Sequence, residues 1–452
     1  MRPPKPRSRP DRVPLWQHFR LIRRDILSAQ PERLYRAKMA VFRTPFFRSF
    51  LVNDPDLVRE ILVERPEDFP KSPRVTAGLK PFLGDCIFLS NGADWEHQRR
   101  IVAPAFAQAR LPEMLPGILE AGEAACARIA AAEGPVEVEA EMTHLAADVI
   151  FRALFSVPIE DRLARAFFAE FRAYQRAQPI LGLRALMPRA GALLARANLA
   201  GRARARRLRA MIAEMVDRRQ AEIAAGTAPD DVATRIATGI DAQTGQGFTR
   251  EEIIDQIAVF FLAGHETTSS ALAWSLYLLA ADPDWQAQVR AEARQFTGAF
   301  AQVRSLSRTR DSFREALRLY PPVPMLMVRE ARVEGEFRGR RIRPGDQIVI
   351  APWYLHRHAD RWPAPDDFDP ARWQRDATRP VARENFLPFS TGPRACTGAG
   401  FAMLEGVALL ALIVSRFAVR PAESTPPLPV AHITVRSEGG IRLLFERCMD
   451  GK

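Results

Sequence analysis

Late in the chain a glycine-rich loop, Phe389-Ser-Thr-Gly392-Pro-Arg394-Ala-Cys396-Thr-Gly398-Ala-Gly400, delivers one cysteine to the start of an apolar helix. Backbone N–H groups and the positive end of a helix favour thiolate over thiol, and a bound metal ion favours it further. A lone cysteine is ordinarily a small buried hydrophobe. Its neighbours set this one apart: Gly392 and Gly398 clear side chains from the approach of a flat macrocycle, and Arg394 offers a forked donor to a carboxylate. A second constellation, Ala263-Gly-His-Glu266-Thr267-Thr268, sits inside an otherwise apolar stretch, where unpaired polar groups are costly. Taken alone, Thr267 back-bonds to a helix carbonyl and Glu266 pairs with a core arginine. Glu315 and Arg318, three apart on a helix, are by default a surface ion pair worth about a few tenths of a kcal/mol.

The cysteine loop resembles the heme-binding signature of the cytochrome P450 superfamily, Phe-x-x-Gly-x-Arg-x-Cys-x-Gly, at every fixed position. The resemblance implies that Cys396 is the axial thiolate and metal ligand of heme b, that Arg394 binds a propionate, that Phe389 packs near the sulfur, and that Gly398 belongs to the cofactor-binding loop. A thiolate ligand pushes electron density toward iron and favours O–O cleavage. Ala263 to Thr268 is similar to the family's oxygen-activation motif, which makes Glu266 and Thr267 the catalytic residues that deliver protons to dioxygen. Glu315-Ala-Leu-Arg318 and Phe368-Asp-Pro-Ala-Arg372-Trp373 resemble the Glu-x-x-Arg motif and its meander, implying a buried Glu315–Arg318–Arg372 lock. Trp95-Glu-His-Gln-Arg99 is similar to the family's Trp-x-x-x-Arg helix, placing Trp95 and Arg99 at a propionate; Arg329 matches a further propionate-binding arginine. Gln98 stands where many relatives carry histidine, and His97 is given no role. The motifs keep the family order and the resemblance spans roughly residue 30 to the end.

That resemblance implies a monooxygenase: two electrons, O2 and two protons place one oxygen atom in a hydrophobic substrate, a fatty acid, terpenoid or polycyclic compound, and release water. Electrons come from a separate ferredoxin or flavodoxin with its reductase, drawn to a basic surface. Two alternatives stand beside it. A heme-thiolate peroxygenase or isomerase needs no external electrons, and the intact Glu266-Thr267 pair argues against it. A non-enzymatic heme sensor or electron carrier leaves the distal motif without a purpose. By family analogy the substrate pocket is lined by Val75 to Leu89, Pro179 to Ala192, Phe260, Phe261, Ala263, Val323 to Met327 and Ile433 to Val435, with Arg43 or Arg48 near the mouth as a partner for a carboxylate.

The elements that must position these residues follow from pattern. The chain has 452 residues, 47% of them hydrophobic and 26% charged, as expected of a globular protein with a large core. Its net charge of +12 rests on arginines scattered along the whole length, with only five lysines, which argues against a nucleic-acid patch. Cys86, Cys126, Cys396 and Cys448 lie too far apart for common zinc or iron–sulfur spacings or a disulfide framework, consistent with the cytoplasm. The longest apolar run, Gly406 to Val414, is too short for a transmembrane anchor, and a monomer is expected.

Residues 1–29 form a basic, Pro/Arg-rich leader expected to be mobile, and 30–452 a single heme-thiolate domain. Ala40 to Val52 reads as strands about Thr44-Pro45, followed by a helix Pro55 to Val63 capped by Asp54. Leu111 to about Ala224 has helical spacing, and Asp230 to Gln246 reads as a loop. Thr249 and Glu252 form a capping box that opens a long helix reaching Asp282-Pro283. Strands over Arg329 to Val349, the meander Trp362 to Trp373 and a last helix Gly400 to Phe417 complete a mainly α fold with a small β-rich lobe, its long central helix lying over the heme.

Overall fold

The capping box at Thr249 forms as the sequence predicts: the Thr249 hydroxyl accepts the Glu252 N–H at 3.3 Å, and the Glu252 carboxylate accepts the Thr249 N–H at 2.8 Å. From it runs a 31-residue helix, Arg250–Ala280, roughly 46 Å long at 1.5 Å per residue. It ends where Asp282 accepts the Trp285 N–H and Pro283 starts the next helix. Every residue from Ala271 to Ala280 is buried, as a helix apolar on all sides must be. The computed structural model describes residues 1–44, 47–177, 199–325 and 328–448.

Among the helices packed on this axis are Val138–Phe155, Leu199–Ala224, Ser307–Leu319 and Ala399–Arg416. Small residues set the spacing. A Cβ on Gly264 would stand 2.6 Å from Ile150 Cδ1, and one on Gly406 would stand 2.1 Å from the Phe313 ring. Ala399–Arg416 is 18 residues long and apolar enough to cross a membrane by length and composition, yet 67% of it is buried inside the fold. It is a core helix here.

The β lobe is built on a four-stranded mixed sheet. Strands Met39–Arg43 and Arg48–Val52 form an antiparallel hairpin closed by Thr44, whose hydroxyl donates to Phe47 O at 2.9 Å. Arg48–Val52 then runs parallel to Gln347–Ile350, and Arg329–Glu330 adds antiparallel on the far side. Phe50, Val52, Ile348 and Ile350 fill the face it turns inward.

Three local expectations change. The Asp54 carboxylate makes no cap bond and instead takes the Arg338 guanidinium at 2.6 Å, while the helix Pro55–Arg59 continues as a wider π turn through Glu64. Asp230 to Gln246 contains a short helix, Val232–Thr238, capped by Asp231 through the Thr234 N–H and held by buried Val232 and Ile236. The leader is docked rather than mobile. Pro3 and Pro6 are buried, Met1 O accepts the Phe368 N–H at 2.8 Å, Pro4 O accepts the Tyr320 hydroxyl at 2.7 Å, and Arg2 and Lys5 both reach Asp366. Prolines lose little freedom on docking, and their carbonyls still accept hydrogen bonds.

The Glu315 network is fully buried and fully satisfied. Arg318 donates twice to Glu315, at 3.0 and 2.8 Å; Arg372 donates at 2.9 Å and Trp373 Nε1 at 3.1 Å. The remaining guanidinium donors go to the carbonyls of His356, Pro363, Ala364, Pro365 and Asp367. This joins the helix Ser307–Leu319 to the meander and leaves none of these buried donors without a hydrogen bond, the second guanidinium being solvated by backbone carbonyls. An Arg372→Met variant, which leaves Glu315 short of a partner, is expected to lose about 3–5 kcal/mol in urea unfolding. Gly406→Ala, which drives a methyl into the Phe313 ring, is expected to lose about 1–3 kcal/mol by the same measurement.

Candidate active site

The cysteine loop is closed by its own backbone. Cys396 N–H donates to Phe389 O at 2.9 Å, and Ala395 N–H to Gly392 O at 3.0 Å. Gly392 is required for two reasons: its φ is +73°, and a Cβ would lie 2.1 Å from the Leu62 carbonyl oxygen. The close neighbour on the side of that Cβ is protein backbone. Gly398 differs, since a Cβ there would meet nothing within 4 Å. It immediately precedes the helix Ala399–Arg416, leaving that side of the loop open to a ligand.

Cys396 combines accessible surface with depth in the fold. Burial pushes its thiol pKa up, outweighing the Gly398 N–H and the Arg99 guanidinium, which both pull it down. The expectation that loop and helix end alone favour thiolate is thus corrected. Desolvation wins, and a cation on the sulfur is what would reverse it.

Near this loop four cations crowd together. Arg394 lies 4.1 Å over the Trp95 ring and donates to Ser90 O at 2.8 Å, while Arg99 donates to Ala395 O at 2.9 Å. Arg329 is 7% exposed, and its backbone bridges to Lys71. Lys71, also buried, reaches the Phe88 carbonyl. Among the described residues no carboxylate comes within 4.0 Å of any of the four. Burial pushes Arg329 and Arg394 down to about 10 and Lys71 well below its ordinary range, and Arg329, Arg394 and Arg99 depress Lys71 further. Positive charge gathered this way in a poorly solvated place needs an anion. The two propionates of a heme fit that donor set, and Cys396 fits its iron. Trp95 acts by holding Arg394. Lys71 was missed in the sequence; its one signal was rarity, a lysine in a chain that otherwise uses arginine.

On the long helix, Thr267 Oγ1 donates to Ala263 O at 2.6 Å. Glu266 Oε1 accepts Gln175 Nε2 at 2.6 Å and lies 3.8 Å from Arg436. Both bonds follow the plainer of the two sequence readings. Burial pushes the Glu266 carboxyl pKa up, opposed by Arg436. Ala263 nevertheless carries accessible surface in the middle of this helix, although Phe261 and His265 on either side of it are buried.

A second buried acid was overlooked. Glu405, nine residues after Cys396, accepts the Thr268 hydroxyl at 3.1 Å and is pushed up to about 8 by burial. A single carboxylate inside an apolar helix was its signature. The pair ties the distal motif directly to the cysteine helix.

Several pocket assignments move. Phe261 belongs to a core cluster with Phe151, Phe167, Phe171 and His265. Phe260 packs on Phe106 with ring centres 5.0 Å apart. Val435 is buried, its carbonyl accepting the Ser270 hydroxyl at 2.6 Å. Arg48 is committed to Asp346 and is not free for a substrate carboxylate. His97 binds Asp241 at 2.8 Å. Pro179 to Ala192, Leu326 and Met327 lie outside the described residues.

Comparison with known proteins accords with this arrangement. The family profile "Cytochrome P450" matches residues 8–445. "Cyclooctatin synthase" of Streptomyces melanosporofaciens is 34% identical over 88% of this chain and 86% of its own length. "Cyclooctat-9-en-7-ol 5-monooxygenase" of the same organism is 30% identical, over 92% and 90%. The solved "cytochrome P450DA heme domain" superposes with a TM-score of 0.79 at 25% identity, covering 91% of this chain and 90% of that one. The chain, with an accessible cysteine on a glycine-rich loop beside cations that no described carboxylate approaches within 4.0 Å, is thus an oxidoreductase of the cytochrome P450 family.

Proposed function

We propose that the protein is a monooxygenase for a hydrophobic organic substrate, drawn from fatty acids, terpenoids or polycyclic compounds, with electrons supplied by a separate ferredoxin or flavodoxin and its reductase. The observation that carries this is the cation cluster next to Cys396, a site built for a dianionic cofactor with a soft metal ligand. Heme b bound there supplies the oxidation of an unactivated C–H or C=C bond by O2. In this reading Cys396 holds the iron, Arg329, Arg394, Arg99 and Lys71 hold the propionates, and Trp95 and Phe389 fix the arginine and the loop.

Glu266 supplies the proton; burial raises its carboxyl pKa above the ordinary carboxylate value, opposed by Arg436. Thr267 positions it along the helix. The hydroxyl's bond to Ala263 O leaves its oxygen able to accept from a neighbouring acid. Gly264, pressed on Ile150, sets how closely this stretch approaches the helix behind it. The acidic redox partner meets a chain of net charge +12, which speeds encounter at low salt. The chain acts as a monomer in the cytoplasm.

Cys396→Ala is expected to abolish the red-shifted carbon-monoxide band of the reduced holoprotein; a variant that kept the band would overturn the ligand assignment. Glu266→Gln is expected to slow product formation by about 10²–10⁴-fold while dioxygen uptake continues as peroxide release. Of the three substrate classes, the true one is expected to drive the largest low-to-high-spin shift in a titration panel.

A further inference from the structure

The helix Gly92–Ala105 carries Trp95 and Arg99, four residues apart and so on one face. That face meets the cysteine loop, where Trp95 underlies Arg394 and Arg99 reaches Ala395 O. At 3.6 residues per turn, Arg100 and His97 stand roughly 120° and 180° away around the helix. Both meet one acid. Arg100 donates to Asp241 Oδ1 at 2.7 Å and to Oδ2 at 2.9 Å, and His97 Nδ1 lies 2.8 Å from the same Oδ2. The Asp241 side chain is fully buried beneath them.

Asp241 is fixed in its turn by the loop that bears it, residues 239–247. Ile240 pairs with Gly247 across that loop. The Asp241 N–H donates to Gln246 O at 2.9 Å, its carbonyl accepts the Gly245 N–H at 2.8 Å, and its Oδ1 accepts the Gln243 N–H at 3.0 Å. The loop also presses directly on the helix, since a Cβ on Gly239 would stand 2.7 Å from Ile101 Cγ2. Two residues beyond Gly247, Thr249 caps the long helix.

We propose that Asp241 is a positioning residue for the cofactor: it grips the helix Gly92–Ala105 by its outer face and so sets the rotation at which Trp95 and Arg99 face the cysteine loop. This rests on the reading of Trp95, Arg99 and Arg394 as the propionate side of the site. Two features separate the role from that of an ordinary ion pair. The carboxylate takes a forked guanidinium and an imidazole from two residues of one helix, so it resists rolling of the helix as well as its departure. Its loop also runs straight into the capping box of the helix that bears Glu266 and Thr267, so one short segment references both sets of side chains. On another side Gln98 ties the helix down, donating to Asp85 O at 2.6 Å and accepting the Ser90 hydroxyl at 2.7 Å. The further charged contact of Arg100, with Glu96 at 3.7 Å, stays within the helix and anchors it to nothing else.

The test is heme transfer from the holoprotein to apomyoglobin, followed in the Soret band, with the reduction potential of the bound iron measured beside it. Asp241→Ala is expected to release heme about 10–100-fold faster than the wild type. It is also expected to lower the potential, because cations that drift from the propionates no longer stabilise the more negative, reduced state. Arg100→Gln, which removes the fork and leaves the buried acid in place, is expected to do the same to a smaller degree. The control is Asp25→Ala. Asp25 is a buried acid that accepts the N–H groups of Leu27, Ser28 and Ala431, and its loss is expected to lower the urea midpoint with heme release unchanged. In an Arg99→Met background the effect of Asp241→Ala is expected to shrink, the mark of a residue that acts through another. Asp241→Ala and Arg100→Gln variants that release heme no faster than the wild type or Asp25→Ala overturn the proposal while the propionate reading stands. If Arg99→Met alone releases heme no faster than the wild type, the propionate reading of that arginine falls and the proposal with it.

Discussion

The molecule depends on a carboxylate that water never reaches. Glu315 receives two guanidinium groups, an indole and a backbone N–H, and these donors come from a helix and from a meander more than fifty residues downstream. From there the constraint is handed on. Arg318 also holds His356 O, and His356 Nε2 accepts the Leu387 N–H at 2.9 Å, two residues before Phe389. Burial keeps that imidazole neutral, with a pKa pushed down to about 3, so it stays an acceptor across the physiological range. The position of the cysteine loop is thus referred back to Glu315 through an unbroken chain of hydrogen bonds.

The sequence was most legible where chemistry demands a fixed spacing. The Cys396 loop, the Glu315–Arg318–Arg372 set and the Thr249 capping box are short patterns in which each residue type has one physical job, and the fold brings their members together. It was less legible where the partner lies far away in sequence. Nothing around Asp54 announces Arg338, and nothing around Arg48 announces Asp346. Nor could local pattern separate the two readings of Phe261. An apolar side chain on a helix that is apolar on every side gives no direction, and the structure turns it into an aromatic core. The docked leader was unreadable for a related reason: its composition of prolines and arginines is that of a free segment, and only Asp366 and the Tyr320 hydroxyl give it somewhere to go.

Charge has two distinct uses here. On the surface most arginines meet nearby acids in exposed pairs of small energetic weight, such as Arg420 with Glu446 and Arg341 with Glu334. Inside, Lys71, Arg99, Arg329 and Arg394 are brought together with no described carboxylate within 4.0 Å, against their own desolvation and mutual repulsion. Such an arrangement weakens the polypeptide taken alone, and a doubly anionic ligand relieves it. Binding and stability are therefore linked, with the ligand contributing to the folded state in proportion to how poorly the protein solvates those cations by itself.

The leader has a consequence in time. Its bonds reach 364 residues along the chain from Arg2 to Asp366 and 316 from Tyr320 back to Pro4. At a synthesis rate of roughly 5–20 residues per second, this segment waits on the order of tens of seconds for the surface that receives it. Made early and docked late, it closes onto the meander only when both partners exist, and that closure joins two distant stretches of chain into one body.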